Sequence, residues 1–301
     1  MEKIFYEDTH ILDFEAMVTD CQASKDSYLI VLDRTAFFPE EGGQLADTGT
    51  LNGLTVSNVS IKNDIIYHHM EVPFEVGTKV TGHVDWDRRF DFMQQHSGEH
   101  IISGLVNKQY GFDNVGFHLG LQEVTLDFNG VLTLDELREI ETKANEAIWK
   151  NLPINIAFPS SEELSALEYR SKLDLTENVR IVTIPGYDTC ACCAPHVDTT
   201  GQIGMIKITN VQSHRGGIRV NILCGGRALQ DYTVKQNNAA AISASLSVKQ
   251  DLIADGVERL KEENFKQKEV VNRLQANVLK NLAMSLPTPE ESANAILFVE
   301  P

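Results

Sequence analysis

The sequence predicts an α+β protein built in three parts. Residues 1–85 read as a small β-barrel-like domain, 86–232 as a mixed α+β domain, and 233–286 as a long helical segment. Three observations carry this. Short β-branched runs broken by Gly, Asn and Asp fill the first part, with little helical periodicity. From Trp86 onward helical and strand-like stretches alternate. Between 234 and 285 there is no Pro and a single Gly, among many Lys, Glu, Gln and Asn.

In the first part, "SYLIVLD" (27–33), "TLNGLTVSNVSI" (50–61) and "DIIYHH" (64–69) are the expected strands. In the second, "RRFDFMQQHSGEHIISGLVNKQYG" places Phe92, His96 and His100 one turn apart, with Ile101 and Leu105 alongside, and stops near Gly111. "EVTLDF" (123–128) reads as a strand. "TLDELREIETKANEAIWKN" (133–151) is an amphipathic helix with Thr133 as its cap and Glu136 placed for a capping box. "INIAF", "VRIVTI", "GMIKITNVQS" and "GIRVNILC" supply more strands. In the third part Val257, Asn264, Val271 and Val278 recur at one heptad position, and Ile253, Leu260, Gln267 and Leu274 at the other. That pattern suits a coiled coil. Residues 287–301 are read as the start of a truncated further domain, with "NAILFVE" as its strand.

Composition narrows the function. A chain of 301 residues with 42% hydrophobic residues can bury a core. No eighteen-residue apolar window exists, so no membrane partner is expected. The N-terminus lacks a signal-peptide pattern, which places the protein in the cytoplasm. The net charge of −17 argues against broad nucleic-acid binding, because phosphates are held by Lys and Arg. From Lys207 to Lys235 the balance reverses locally: Lys207, Arg215, Arg219, Arg227 and Lys235 stand against Asp231 alone. Of five cysteines, Cys190, Cys192 and Cys193 lie within four residues, too tight for a disulfide framework and suited to a metal or a reactive thiol.

The chemistry concentrates in two stretches. In "QQHSGEHIISG" (94–104), His96 and His100 share one helix face, a spacing that lets two imidazoles hold one ion. In "YDTCACCAPHVDTTGQIG" (187–204), Cys192 and His196 are separated by three residues. A thiolate and three imidazoles form a zinc donor set. Spacing leaves open whether such a site is closed and structural or admits water or substrate. "HSGEH" also fits H-x-x-E-H, in which Glu99 would be the general base of a metallopeptidase. That alternative gives "CACCAPH" no task. A third stretch, "DRTAFFPEEGGQLADTG" (33–49), brings Gly42 and Gly43 into a turn where a ligand can approach the backbone, next to the donor and acceptor of Gln44.

In this order, T-x-F-F-P-E-E-G-G-Q-x-x-D-T-G, H-x-x-x-H, and C-x-x-x-H-V followed by T-G-x-I-G resemble the alanyl-tRNA editing family. That family comprises the free-standing AlaX proteins and the editing domain of alanyl-tRNA synthetase. "GGIRVNILCGGRALQDY" (216–232) resembles its stretch after the second metal pair. Where the family usually has Cys-Gly-Gly-Thr-His, this chain reads "CCAPH". The resemblance implies a zinc-dependent hydrolase of mischarged tRNA(Ala) carrying Ser or Gly. A synthetase pocket for alanine excludes both poorly, whereas a second site that requires a hydroxyl can discriminate by on the order of 10⁴. It implies Zn²⁺ on His96, His100, Cys192 and His196. Thr35, Gly42, Gly43 and Gln44 would line the pocket, with Thr35 reading the serine hydroxyl. Glu99 would assist proton transfer, and Arg215, Arg219 and Arg227 would meet tRNA phosphates. A non-catalytic tRNA-binding module, joined as a homodimer through the helical segment, is the third reading.

Overall fold

The computed structural model describes residues 1–25, 27–171 and 179–285, so the expected strand at "NAILFVE" and the segment from 286 onward lie outside the described residues. Residues Met1–Asp231 form one compact unit, and the chain from Tyr232 belongs to a second.

The first unit begins with a seven-stranded antiparallel sheet: β1 (Asp13–Ala23), β2 (Tyr28–Leu32), β3 (Gly49–Leu51), β4 (Leu54–Val56), β5 (Asn58–Lys62), β6 (Ile65–Met70) and β7 (Lys79–Val84). Their order is β4-β3-β7-β1-β2-β6-β5. The two edge strands, β4 and β5, are consecutive in the chain and separated only by Ser57. One residue therefore joins opposite edges, and the sheet curls until it is nearly closed. Ser57 seals the corner by donating its N–H to His69 O at 3.0 Å. Inward positions alternate along β1 and β7. Phe14, Val18, Ile30, Leu32, Leu51 and Val80 fill the interior together with Phe37 and Phe38. The expected strands all appear here. β1 and β7, at the centre of the sheet, were not among the expected ones: acidic and basic residues at their outward positions dilute the apolar signal.

Helix α1 (Trp86–Tyr110) follows directly. Asp85 caps it by accepting from Arg88 N, and Gly111, at φ +70°, ends it. Arg89 ties this helix to the curled sheet. Fully buried, its guanidinium donates to both carboxylate oxygens of Asp47, to Ala36 O at 2.7 Å and to Thr9 O at 3.0 Å. A four-stranded antiparallel sheet covers another side of α1, ordered β8-β9-β14-β13. Its strands are β8 (Asn114–Leu119), β9 (Val124–Phe128), β13 (Ile206–His214) and β14 (Gly217–Cys224). Helix α2 (Leu134–Lys150) carries the expected Thr133–Glu136 capping box. A small sheet of β10 (Asn155–Ala157), β11 (Ile181–Ile184) and β12 (Asp188–Ala191) carries the chain to Cys192. The short helix α3 (Ser161–Ala166) follows β10. Gly98 and Gly104 let α1 sit tightly between these layers, since a methyl group on either would press within 2.4 Å of Cys224 Sγ or Tyr187 O.

Among the described residues, the C-terminal region holds two α-helices, α4 (Gly225–Leu246) and α5 (Ile253–Ser285), interrupted at Ser247, which takes φ +53°. The heptad positions Leu260, Val271, Leu274 and Val278 on α5 are about half exposed.

His68 on β6 illustrates how the curled sheet buries polar groups. Its Nδ1 donates to Ile30 O at 3.0 Å, so its Nε2 accepts the Thr35 hydroxyl at 2.8 Å. Burial pushes this imidazole down to about 4, so it is neutral when folded. An unfolded histidine titrates near 6.5 and takes up the proton first. Stability supplied by this group is therefore intact above pH 6.5 and is lost as pH falls from 6.5 towards 4, by about 3 kcal/mol in total. Urea midpoints at pH 7.0, 5.5 and 4.5 should show His68→Gln to have a flatter acid limb than the wild type. Parallel limbs would contradict this.

Candidate metal centre

Helix α1 delivers the first pair. His96 and His100, one turn apart on its inner face, have ring centroids 5.5 Å apart. The segment after β12 delivers Cys192 and His196. Cys192 Sγ lies 3.5 Å from His96 Nε2 and 3.4 Å from His196 Nε2. The ligand atoms of all four residues lie within 4.8 Å of one another, and this cluster could hold a metal ion. Zinc bonds of about 2.3 Å to sulfur and 2.05 Å to nitrogen, at the tetrahedral angle, put the two atoms about 3.5 Å apart. The observed separations match that edge.

The outer partners decide which nitrogen faces inward. His96 Nδ1 pairs with Gln44 Oε1 at 2.8 Å, His100 Nδ1 with Asp188 Oδ2 at 2.8 Å, and His196 Nδ1 with Ser97 Oγ at 3.0 Å. All three Nδ1 atoms are thus engaged outward, leaving Nε2 to converge on Cys192. Asp188 is itself gripped by Arg170, with Nε donating at 2.7 Å and Nη2 at 2.8 Å. Charge fits the same role. Burial alone would raise the Cys192 thiol, but His96, His196 and His100 outweigh it and hold it well below the ordinary thiol range. Burial pushes His196 down to about 3. Burial also acts to lower His100, yet Cys192, Asp188 and Glu99 raise it well above the usual imidazole range.

The glycine loop lies beside this cluster. Gly42 and Gly43 have φ of +63° and +84°. Gly43 O accepts from Leu119 N at 2.7 Å, and a side chain at Gly43 would strike Phe117 O. The loop is laced to β8 in this way, and Gln44 is aimed at His96. Gln44 Nε2 is buried with no hydrogen-bond partner among the described residues.

The remaining expected residues fall in several places. Thr35 is fully buried; its oxygen donates to His68 and accepts from Phe37 N at 3.1 Å. Glu99, the expected proton-transfer residue, is buried, because α1 is enclosed on nearly all sides. Its Oε1 accepts from Ser103 Oγ at 2.5 Å and Asn114 Nδ2 at 2.7 Å, and its Oε2 stands 3.8 Å from His100 Nε2. Burial raises this carboxyl, and His100, Arg170, His96 and Ser103 bring it below the ordinary value. Arg215 lies at the exposed turn between β13 and β14. Arg219 is bonded to Asp127, and Arg227 to Asp91 and to Gly120 O at 2.8 Å. Sequence reasoning missed Asp188, Arg170, Ser97 and His68. Asp188 stood in a quoted stretch, but an acidic residue four before a cysteine is a weak signal without the fold.

A model of the tRNA synthetases class II (A) matches residues 2–88. A model of the threonyl and alanyl tRNA synthetase second additional domain matches residues 179–220, which include Cys192 and His196. The chain is 32% identical over 240 residues to the alanyl-tRNA editing protein AlaX-L of Pyrococcus horikoshii, covering 76% of this chain and 59% of that protein. These matches are to the alanyl-tRNA editing family. The chain is also 27% identical over 297 residues to the alanyl-tRNA editing protein Aarsd1 of Bos taurus, covering 93% of this chain and 66% of that one. Against the alanine–tRNA ligase of Methanobrevibacter smithii it is 29% identical over 314 residues, covering 99% of this chain and 35% of the ligase. The chain thus spans less than two thirds of the length of these editing-family relatives.

Proposed function

We propose that the chain hydrolyses the ester of mischarged tRNA(Ala), carrying serine and secondarily glycine, at a zinc ion on His96, His100, Cys192 and His196. The observation that carries this reading is the convergence of those four donors at zinc-like spacing, with Gln44 of the glycine loop bonded to one of them. Zinc, when bound, supplies a Lewis acid for an ester carbonyl or a water. The chain's own residues do the rest. Gln44 orients His96 and keeps its unmet Nε2–H for an oxygen of the substrate. Gly42 and Gly43 leave open backbone beside the centre. Glu99, held by Ser103 and Asn114, turns its second oxygen towards the centre as a proton acceptor. The Thr35 hydroxyl already donates its hydrogen bond to His68, so it offers a seryl hydroxyl only a lone pair. It is fully enclosed, and reaching it requires the neighbouring loop to open.

Arg215, at its exposed turn, is the leading candidate for a phosphate contact, while Arg219 and Arg227 share their charge with Asp127 and Asp91. The half-exposed heptad positions of α5 support a coiled coil that makes a homodimer. No helix among the described residues is long and apolar enough to cross a membrane, and we place the activity in the cytoplasm. The metallopeptidase reading is disfavoured, because Cys192 and His196 reach the same point as His96 and His100.

Seryl-, glycyl- and alanyl-tRNA(Ala), offered with and without a chelator, test the proposal. Seryl ester should be lost fastest and alanyl ester spared, with chelator stopping the reaction. Binding of tRNA with no turnover would leave a non-catalytic module in its place.

A further inference from the structure

We infer that Phe158 is a stacking platform for the terminal adenine of a charged tRNA, beside the metal centre. This rests on the ester-hydrolase reading. The register of the small sheet supplies the geometry. Ala157 on β10 pairs with Ile181 on β11, which pairs with Ala191 on β12. One residue further along, Cys192 N donates to Arg180 O at 3.0 Å, and extending the register one residue past the end of β10 sets Phe158 in the same row. Neighbouring strands lie about 4.8 Å apart, so Phe158 stands two spacings, about 10 Å, from the metal-ligating cysteine. Residues of one row project to the same face.

Other contacts fasten this row. Arg180 Nη1 donates to the carbonyls of Cys192 at 2.9 Å and Ala194 at 2.8 Å. Tyr6 bridges the row: its ring meets Phe158 edge-on at 6.0 Å and carries the Arg180 guanidinium at 5.4 Å and Lys3 Nζ at 5.9 Å. The Arg180 Nε–H is buried without a hydrogen-bond partner among the described residues. Five other phenylalanines, Phe5, Phe37, Phe38, Phe92 and Phe128, are fully buried, whereas Phe158 is 55% exposed. One edge of the ring meets Tyr6, and the rest is open to solvent.

The occupant follows from chemistry. The two nearby cations sit over Tyr6, Arg180 held by carbonyls and Lys3 by Asp64 at 2.6 Å, so the exposed π-face of Phe158 itself is what suits a base. In a charged tRNA the last base is joined to the acyl ester through one ribose. A base on Phe158 therefore brings the ester towards Cys192 and its partner histidines.

Two measurements test this on the whole 301-residue chain. Phe158→Ala should raise KM for seryl-tRNA(Ala) about tenfold or more, with kcat and metal content within twofold of the wild type. Phe158→Trp should restore KM, and its added fluorescence, relative to the wild type, should be quenched by the trinucleotide CCA. An unchanged KM in the alanine variant, or fluorescence indifferent to CCA, overturns the platform. If the wild type deacylates nothing, the hydrolase reading fails, and the CCA titration still decides whether Phe158 binds a base.

Discussion

Cys192→Ala is expected to empty the metal centre and stop deacylation while the chain stays folded. Cys192 is the one thiolate among four ligand positions, and three imidazoles hold its pKa down. Its removal takes away the only anion in the donor set. Outer partners of a metal ligand typically carry 10–100-fold in affinity or activity, so loss of the thiolate itself should exceed that. Metal per chain, measured by mass spectrometry, should fall from about one to near zero, and hydrolysis of seryl-tRNA(Ala) by more than about 100-fold. The fold should survive because every histidine keeps its outer partner: Gln44, Asp188 and Ser97. Asp188→Asn makes a graded comparison, since it weakens the support of His100 but removes no ligand. Undiminished hydrolysis by Cys192→Ala would take the metal out of the reaction.

The second large effect concerns stability. Asp47→Ala should cost about 3–5 kcal/mol, because it strands the wholly buried Arg89 guanidinium. The same carboxylate also accepts from Phe38 N at 2.7 Å, so the loop leading to Gly42 and Gln44 loses an anchor. The double replacement Arg89→Leu with Asp47→Leu should recover much of the loss, since no buried charge then remains unpaired. Urea denaturation of the variants of the 301-residue chain reads both results. A cost below about 1 kcal/mol for Asp47→Ala would mean that water reaches the guanidinium. Because Arg89 lies seven residues before His96 on α1, this pair also sets where the first two ligands stand relative to the glycine loop.

Much of the centre was legible before folding. His96 and His100 are found by their helical spacing, and Cys192 and His196 by their own short interval. The capping box at Thr133 and the stop at Gly111 were equally readable, because caps are local chemistry. The supports were not legible. Gln44 lies 52 residues from His96, Asp188 lies 88 from His100, and Ser97 lies 99 from His196. No periodicity links such pairs. The burial of Glu99 was hidden for a related reason: nothing local to the chain shows that sheets and loops enclose that helix on most sides.

By itself the sequence determined which side chains were available as ligands, the helix phase that pairs two of them, and the turns that free Gly42 and Gly43. Side-chain chemistry and backbone preference act over a few residues, so they can be read along the chain. Only the tertiary structure decided which nitrogen of each histidine faces inward, which carboxylates are buried, and that two segments nearly a hundred residues apart share a point. Those outcomes depend on desolvation and on hydrogen bonds between distant segments, and these exist only once the layers have packed.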